Sequence, residues 1–254
     1  MTWTPVDCHA HTTMSDGALD VGALVDRVRA RNVRPSVADH ISRDVAGSIK
    51  HLDGVRVYLD TLDEFPVLRG GEFCWHDALW REIPASLVAR FTHRVGSLHG
   101  IHLPDGTLVH AFGRGLPAGL TPDAYMDAHL VEVDRFALGM PVDILAHPTL
   151  LPIALRSIPA EEIWTEEREE RLVNALLRAG IAFEVSNRYK PHERLVRRAV
   201  ATGLRIALGS DGHTADQVGN VDWPLMMTRA AGVRDDDLYD PLTHGSRTQD
   251  TVAA

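Results

Sequence analysis

Short apolar runs alternate with longer amphipathic stretches along most of the sequence, and this alternation constrains the fold more than any other feature. Several runs are apolar at consecutive positions, which is typical of parallel strands covered on both faces. Seven strands are predicted, at residues 5–9, 33–39, 67–73, 94–99, 142–147, 181–185 and 205–210. Alternating strands and helices indicate an α/β fold with a parallel sheet. Seven such units within residues 5–210 fit a (β/α)7, TIM-like barrel better than a small open sheet.

Amphipathic patterns and end signals predict helices between these strands, at residues 19–31, 123–138, 166–179 and 192–202. Thr121 and Pro122 suit the start of the second helix, and Gly180 and Gly203 end the last two. The stretch 100–120 is rich in glycine and proline, so we expect a long loop that covers a site. Residues 1–242 are predicted to form one domain, and the polar residues 243–254 a disordered tail.

Composition excludes several classes of protein. No apolar run approaches the roughly 20 residues of a membrane helix, and the N-terminus lacks the features of a signal peptide. Two cysteines, Cys8 and Cys74, suit a reducing cytoplasm. The net charge of −9 argues against a stable complex with long nucleic acids. Bound cations could nevertheless attract a small anionic substrate.

Histidine frequency and placement predict the chemistry of the chain. The 14 histidines in 254 residues are well above the roughly 2% of ordinary proteins. His9 and His11 lie two residues apart on the first strand, so both imidazoles face the same side. Further candidate ligands follow on the next loop or at later strand ends, namely Asp16, His40, Glu72, His99, His147, Asp211 and His213. Because parallel strands of a barrel end at one rim, we expect these side chains to converge there.

The predicted ligand set indicates which metals could bind. It contains six imidazoles and three carboxylates and needs no cysteine. Such a set favours zinc, manganese or iron over calcium or magnesium, and it is too large for one ion. The sequence therefore predicts a multinuclear metal centre.

The motifs DCHAHTTMSDG, VADH, GGEF, GSLHG, ILAHP and GSDGH, in this order over residues 5–232, resemble the polymerase and histidinol phosphatase (PHP) family of metal-dependent phosphoesterases. FEVSNRYKPH and ALGSDGHTADQVGN are most similar to its small stand-alone bacterial phosphatases. The resemblance implies a distorted seven-stranded barrel, with residues 1–242 as a PHP-type metallohydrolase domain, and two or three divalent ions.

The resemblance also implies a division of the ligands. His9, His11, Glu72 and Asp211 would hold one ion, and Glu72 would bridge to a second ion held with His99 and His147. Asp16, His40 and His213 would complete a third site. His102 and His110, in the predicted loop, are alternatives to His99.

Catalytic roles are expected for Glu72, Asp211, His213 and Asp16. The departing alkoxide needs a cation or a proton, and His213 and Asp16 both remain candidates for that role. The cationic residues Arg43, Arg188 and Lys190 follow strand ends and are candidates for binding phosphate.

The leading functional hypothesis is hydrolysis of small phosphate monoesters, as in histidinol phosphatases, by a metal-activated hydroxide. A nucleotide phosphodiesterase or exonuclease of the same family is the alternative, but only 6% of residues are aromatic, which argues against a base-stacking platform. A barrel amidohydrolase also begins with His-x-His, yet Lys50 and Lys190, the only lysines, do not lie at a middle strand end. The pattern does not predict an oligomeric state.

Overall fold

The computed structural model describes residues 3–245. The strands are β1 (Ser36–Val37), β2 (His40–Ile41), β3 (Leu68–Arg69), β4 (Glu72–Cys74), β5 (Val95–Ser97), β6 (Gly100–His102), β7 (Leu108–His110), β8 (Ile144–Leu145), β9 (Ala182–Ser186) and β10 (Ile206–Gly209). The α-helices are α1 (Val21–Arg29), α2 (Leu52–Asp63), α3 (Leu79–Glu82), α4 (Ala85–Val88), α5 (Pro122–Gly139), α6 (Ala160–Ile163), α7 (Glu166–Ala179), α8 (Glu193–Ala201), α9 (Asp222–Ala230) and α10 (Pro241–His244). Short 3-10 helices cover Ile153–Leu155 and Asp235–Asp237.

Six strands form a parallel sheet in the order β10-β9-β8-β5-β4-β2. A second parallel pair joins β1 to β3, and β6 pairs with β7 in antiparallel fashion. The strands of the main sheet are buried at every position, as is typical of parallel strands covered on both faces. The predicted α/β class with a parallel sheet is confirmed.

The number and extent of the strands differ from the prediction. The predicted first strand, residues 5–9, forms no ladder and makes only an isolated bridge, between Val6 and Arg34. The third predicted strand is divided into β3 and β4 by Gly70 and Gly71. A Cβ at Gly70 would lie 2.7 Å from Val37 O and from the ring of His93, so this close approach requires glycine. In these ladders the sheet is not closed, so the seven-stranded barrel is not confirmed.

The four predicted helices are present: α7 has the predicted ends, and the ends of the other three differ by one or two residues. Thr121 accepts a hydrogen bond from Ala124 N and begins α5, with Pro122 as the first helical residue. Gly180 ends α7 in the left-handed region, at φ 66°. Apolar faces of these helices, such as Leu172 and Leu176 of α7, are fully buried in the main core.

The stretch 100–120 is not a loop throughout, because it contains the β6–β7 hairpin. Ile101 and Val109 pair across the hairpin and are buried in the core. At the other end of the chain, α10 includes Thr243 and His244, the first residues of the predicted tail. Residues 246–254 of that tail lie outside the described residues. Within residues 3–245, no helix is long and apolar enough to cross a membrane.

Candidate metal centre

The nine predicted ligands lie on different segments, and neighbouring strands place two of them side by side. His40 and Glu72 are the first residues of β2 and β4, where they are register partners in the parallel ladder. They therefore begin these short strands, whereas the sequence predicted them at strand ends. Both side chains are buried. The pairing of β2 with β4 thus fixes the distance between the backbones of two candidate ligands, His40 and Glu72.

One group of donors comprises His9, His11 and Asp211. The Nε2 atoms of His9 and His11 lie 3.1 Å apart, and His11 Nε2 is 3.3 Å from Asp211 Oδ1. All three residues are buried. The group places two imidazole nitrogens and a carboxylate oxygen around one point, as a metal ion requires.

A second group forms around Glu72 and contains His40 and His99. Glu72 Oε1 lies 3.2 Å from the Nε2 atoms of both His99 and His147, which are themselves 3.3 Å apart. Glu72 Oε2 faces the other way, 3.4 Å from His9 Nε2 and 2.5 Å from His40 Nδ1. The two oxygens of one carboxylate therefore face two different groups of imidazoles.

A third group comprises Asp16, His40 and His213, together with His11. Asp16 Oδ2 lies 3.6 Å from His40 Nε2 and 3.4 Å from His213 Nε2. Asp16 Oδ1 is 3.7 Å from His11 Nδ1. This group is more exposed than the others, since the side chain of Asp16 is 35% accessible. His11 and His40 each face two groups, a sharing that the sequence did not predict.

The donor atoms fit divalent cations. Within residues 3–245, His11 Nδ1, His40 Nδ1 and Glu72 Oε2 are buried without a hydrogen-bond partner, although His40 Nδ1 lies 2.5 Å from Glu72 Oε2. Buried polar atoms are rarely left unpaired. Imidazole nitrogens also converge in pairs, as His9 with His11 and His99 with His147. Such convergence suits ions bound between nitrogen and carboxylate donors.

Two of the candidate ligands have a backbone conformation that the sequence does not signal. His147 has φ 30° and Asp211 has φ 48°, both in the left-handed region that non-glycine residues rarely adopt. Such strain is concentrated at functional sites, where neighbouring contacts maintain it. Here the turn of the backbone after β8 and after β10 directs each side chain into the cluster.

The electrostatics of the cluster favour the forms that bind metal. Burial disfavours the Glu72 anion, but the imidazoles of His40, His99 and His9 outweigh it and hold the pKa of Glu72 well below its usual value. Burial lowers the pKa of His99 to about 4 and, with help from His40, the pKa of His11 to about 3. Anionic carboxylates and neutral imidazoles are the forms that act as ligands.

His9 differs from these histidines. Its burial disfavours the charged ring, but the carboxylates of Glu184, Glu72 and Asp211 outweigh burial and raise the pKa of His9 well above its usual value. The concentration of negative charge around His9 therefore attracts a cation, either a proton or a metal ion.

Sequence reasoning missed Glu184, because none of the nine predicted ligands lies on the predicted strand 181–185. Glu184 lies in β9 and is fully buried. Its Oε1 lies 2.8 Å from His9 Nδ1, and its Oε2 accepts a hydrogen bond from His147 N at 2.5 Å. A charged residue inside the apolar run IAFEV was the available signal.

Asp7 and Asp39 hold the loops of the site rather than the imidazole rings. Asp7 accepts hydrogen bonds from Ser210 N, Ser210 Oγ and Gly219 N. Asp39 accepts from the backbone and hydroxyl of Thr12, 2.7 and 2.6 Å away. Burial raises the pKa of each carboxyl to about 6.

The cluster opens into a cavity of about 550 Å³. Candidate ligands form one wall, and the other walls include Asp44, His110, Phe112, Arg188 and Tyr189. Phe112 follows the β6–β7 hairpin, and its ring lies 5.4 Å from that of His99. The cavity is large enough for a small organic phosphate, and part of its wall comes from the stretch predicted to cover a site.

The structure separates the three predicted phosphate-binding cations. Arg188 lines the cavity, and its Nη1 lies 2.7 Å from His213 Nδ1. Arg43 instead forms a bidentate ion pair with Glu82, at 2.8 and 2.6 Å. Lys190 lies over the ring of Trp223, 5.1 Å from its centre. Within the described chain, neither Arg43 nor Lys190 lines this cavity, because each is turned towards another partner.

The positions of His102 and His110 show whether either of them replaces His99 in the cluster. His99 itself lies against Glu72, whereas His102 is exposed and lines a separate groove. His110 lines the cavity, and its ring packs edge-on against that of His76 at 5.0 Å. His99 is therefore the histidine that the structure brings to the cluster.

Comparison with known proteins gives matches among solved structures. No protein-family model matches the chain, and no curated protein matches it. The fold is similar to that of histidinol phosphate phosphatase from Lactococcus lactis subsp. lactis Il1403, solved with zinc, L-histidinol and phosphate. That likeness has a TM-score of 0.69 and 18% identity over 92% of this chain and 95% of the other.

A second similar structure is a protein assigned as a histidinol phosphatase, hisK, from Listeria monocytogenes. It has a TM-score of 0.65 and 14% identity, over 85% of this chain and 97% of the other. At these identities the likeness concerns the fold. The likeness in fold to these two structures agrees with the resemblance of the sequence motifs to the PHP family.

Proposed function

We propose that the protein is a metal-dependent phosphatase that hydrolyses small phosphate monoesters. The observation that carries the proposal is the position of Glu72, whose two carboxylate oxygens face different groups of imidazoles. Two of these imidazoles, His99 and His147, line the cavity. The shared fold with a phosphatase solved with zinc, L-histidinol and phosphate supports it.

A closed barrel would explain why the ligands converge. Segment 5–11 lies between β10 and the residues that follow β1: Cys8 N donates to Leu208 O at 2.9 Å, and Ala38 N donates to Ala10 O at 2.8 Å. We propose that this segment closes the sheet into a distorted seven-stranded barrel within a single domain. Its C-terminal rim would then carry the site.

We propose that the centre holds two or three divalent ions, with zinc, manganese and iron as candidates. His9, His11, Asp211 and Glu72 would hold one ion, and Glu72, His99 and His147 a second. Asp16, His40 and His213 would hold a third. When bound, such ions lower the pKa of water towards about 7 and neutralise phosphate oxygens.

The protein's own residues would orient the substrate and move protons. Arg188 is placed to donate hydrogen bonds to the phosphate from the cavity wall. His213 Nδ1 lies 2.7 Å from Arg188 Nη1 and 3.0 Å from Asp211 O, so the ring has two tautomers available. A proton on Nδ1 is donated to Asp211 O and leaves Nε2 free as a ligand. When Arg188 donates to Nδ1, Nε2 carries the proton and faces Asp16.

As an imidazolium, His213 would keep its Nδ1 proton in the hydrogen bond to Asp211 O and could give its Nε2 proton to the departing alkoxide, which returns the ring to its neutral form. Asp16 Oδ2, 3.4 Å from Nε2, is the carboxylate beside that proton. The catalytic residues proposed are therefore Glu72, Asp211, His213 and Asp16. Arg43 and Lys190 take no part in this proposal, because they are paired elsewhere.

The substrate is proposed to be a small monoester, with histidinol phosphate as the first compound to test. The net charge of −9 opposes long polyanions, and two or three divalent ions would reverse that charge only locally. The two buried, free cysteines suit the predicted cytoplasmic location. Phe112 and Tyr189 on the cavity wall keep a nucleotide phosphodiesterase as the second candidate, because aromatic rings can stack on a base.

The test uses purified protein of measured metal content, assayed with phosphate monoesters, nucleotides, a diester, a short oligonucleotide and a lactone. A higher specificity constant for a small monoester than for the oligonucleotide is expected, with loss of activity after chelation and recovery on adding metal. Preference for the oligonucleotide, with affinity that falls steeply as salt rises, would favour the nuclease. Turnover of the lactone without turnover of any phosphate ester would reject the phosphatase.

A further inference from the structure

Glu184 is a buried carboxylate for which the proposed reaction has no direct use. It lies in the middle of β9 and is 0% exposed, between the apolar residues Phe183 and Val185. Burying a carboxylate is costly unless hydrogen bonds compensate it. The partners of Glu184 are therefore informative about why the chain places a charge there.

Both oxygens of Glu184 contact candidate metal ligands. Oε1 lies 2.8 Å from His9 Nδ1, the ring nitrogen that faces away from the cluster. Oε2 accepts a hydrogen bond from the backbone N–H of His147 at 2.5 Å. Because both oxygens have these partners, Glu184 is not itself placed as a ligand. We propose that Glu184 is a positioning residue that prepares two ligands for two different metal ions, an inference that rests on the proposed metal-dependent function.

Its effect on His9 is to select a tautomer. A carboxylate at Nδ1 holds the ring proton on that nitrogen, which leaves Nε2 unprotonated. His9 Nε2 lies 3.1 Å from His11 Nε2 and 3.4 Å from Glu72 Oε2. The carboxylate also fixes the rotation of the ring, so that the free nitrogen lies among the other donors.

Its effect on His147 acts through the backbone. The left-handed φ of 30° at His147 is unfavourable for a residue with a Cβ. The hydrogen bond from His147 N to Glu184 holds the peptide in this conformation. In the same conformation His147 Nε2 lies 3.2 Å from Glu72 Oε1 and 3.3 Å from His99 Nε2. Glu184 thus maintains the turn that brings the imidazole to the second group.

The contacts of Glu184 with His9 and His147 link the proposed sites of the first and second ions. Among the proposed ligands, only Glu72 is shared by these two sites. His9 belongs with His11 and Asp211, whereas His147 belongs with Glu72 and His99. A loss of Glu184 is therefore expected to affect the binding of both ions, unlike the loss of a ligand that belongs to one ion only.

The test is Glu184→Gln, which keeps the shape of the side chain but removes its charge and replaces one acceptor by a donor. Zinc affinity is measured by competition with a chromophoric chelator, which does not depend on activity. Partners of metal-bound histidine typically contribute about 10- to 100-fold in metal affinity or activity. We expect zinc to bind about 10- to 100-fold more weakly, kcat to fall by a similar factor, and KM to change less than about twofold.

Glu169→Gln is the matched control. Glu169 is equally buried, but its carboxylate contacts His192, Arg194 and Arg198. Its replacement should lower the melting temperature while zinc affinity stays at the level of the unaltered protein. Glu184→Asp is the second variant, for use where Glu184→Gln does not fold. Glu184→Asp keeps the carboxylate charge but moves it away from His9 and His147 by the length of one methylene group. Its affinity for zinc should lie between those of the unaltered protein and Glu184→Gln.

The outcomes separate the two proposals. Unaltered zinc affinity in folded Glu184→Gln, or in Glu184→Asp when only that variant folds, would overturn the positioning role. Weakened zinc binding in a protein that hydrolyses no phosphate ester would retain the positioning role and reject the phosphatase.

Discussion

Replacement of Gly209 by alanine should damage the metal centre, although Gly209 is not itself a candidate ligand. Gly209 lies in β10, and a Cβ there would overlap Glu184 Oε1 and lie 2.8 Å from Glu184 Cδ. The carboxylate must therefore withdraw, which breaks its contacts with His9 and His147. Each hydrogen bond to a charged group contributes about 1.5–3 kcal/mol, so losing both costs about 3–6 kcal/mol. Alanine in a strand regains only about 0.5–1 kcal/mol of backbone entropy.

The expected net loss is about 2–5 kcal/mol, or roughly 4–20 °C in melting temperature for a chain of this size. Zinc affinity should fall about 10- to 100-fold with it. The assay combines thermal unfolding of the metal-free protein with chelator competition. Gly96→Ala is the matched control, because its Cβ would clash with Phe136 in the core. That variant should lose stability but retain zinc affinity.

A double-mutant cycle gives the sharpest test of the reasoning. In Glu184→Ala the obstructing carboxylate is absent, so adding Gly209→Ala should cost little more than Glu184→Ala alone. Additive losses in stability and zinc affinity would refute the explanation, because they would mean that the new methyl group acts elsewhere. The contact of that methyl group with His9 Cβ, at 3.1 Å, would then be the first alternative.

Three further predictions concern the site and its supporting loops. Glu72→Gln should lose at least one ion by metal analysis and most activity while the fold is retained by circular dichroism; full metal content with normal turnover would mean that Glu72 is structural. Arg188→Ala should chiefly raise KM in steady-state kinetics, whereas Arg43→Ala should leave it unaltered, and equal effects would reject the phosphate contact. The pKa values of Asp7 and Asp39 are raised from 3.8 to about 6 by burial, so the folded protein holds protons that the unfolded chain releases in that window. Metal-free stability should therefore fall as pH rises through it, by about 1.4 kcal/mol per pH unit for each group, and Asp7→Asn should flatten this part of a urea-unfolding profile.

The sequence predicted the α/β class, four helices and the convergence of nine candidate ligands, because periodicity and strand ends are local signals. It did not predict that His40 and Glu72 begin short strands. The bounds of β2 and β4 depend on which residues of the two strands pair with each other, and the local sequence does not specify that pairing. The hairpin within residues 100–120 was missed because glycine and proline dominate that stretch.

Side-chain partners were the least predictable part of the site. Arg43 follows a predicted ligand in sequence, yet its guanidinium reaches Glu82, 39 residues away. Glu184, by contrast, was not predicted to belong to the site. It lies in an apolar run and contacts His9, 175 residues away, which no local pattern encodes. Contacts between charged side chains that are distant in sequence depend on the tertiary structure, so the spacing of residues along the sequence does not predict them.

The β6–β7 hairpin has a consequence for how related proteins could diversify. Its base is tied to the site, since Ala111 N donates to His99 O at 2.7 Å. At the turn of the hairpin, a Cβ at Gly106 would meet nothing within 4 Å in the described part of the chain. Insertions or deletions at the tip therefore leave the ligands in place while they alter the cover of the cavity. Under the proposed function, such changes would alter which leaving groups are admitted and would leave the candidate metal ligands unaltered, because the two lie on separate stretches of chain.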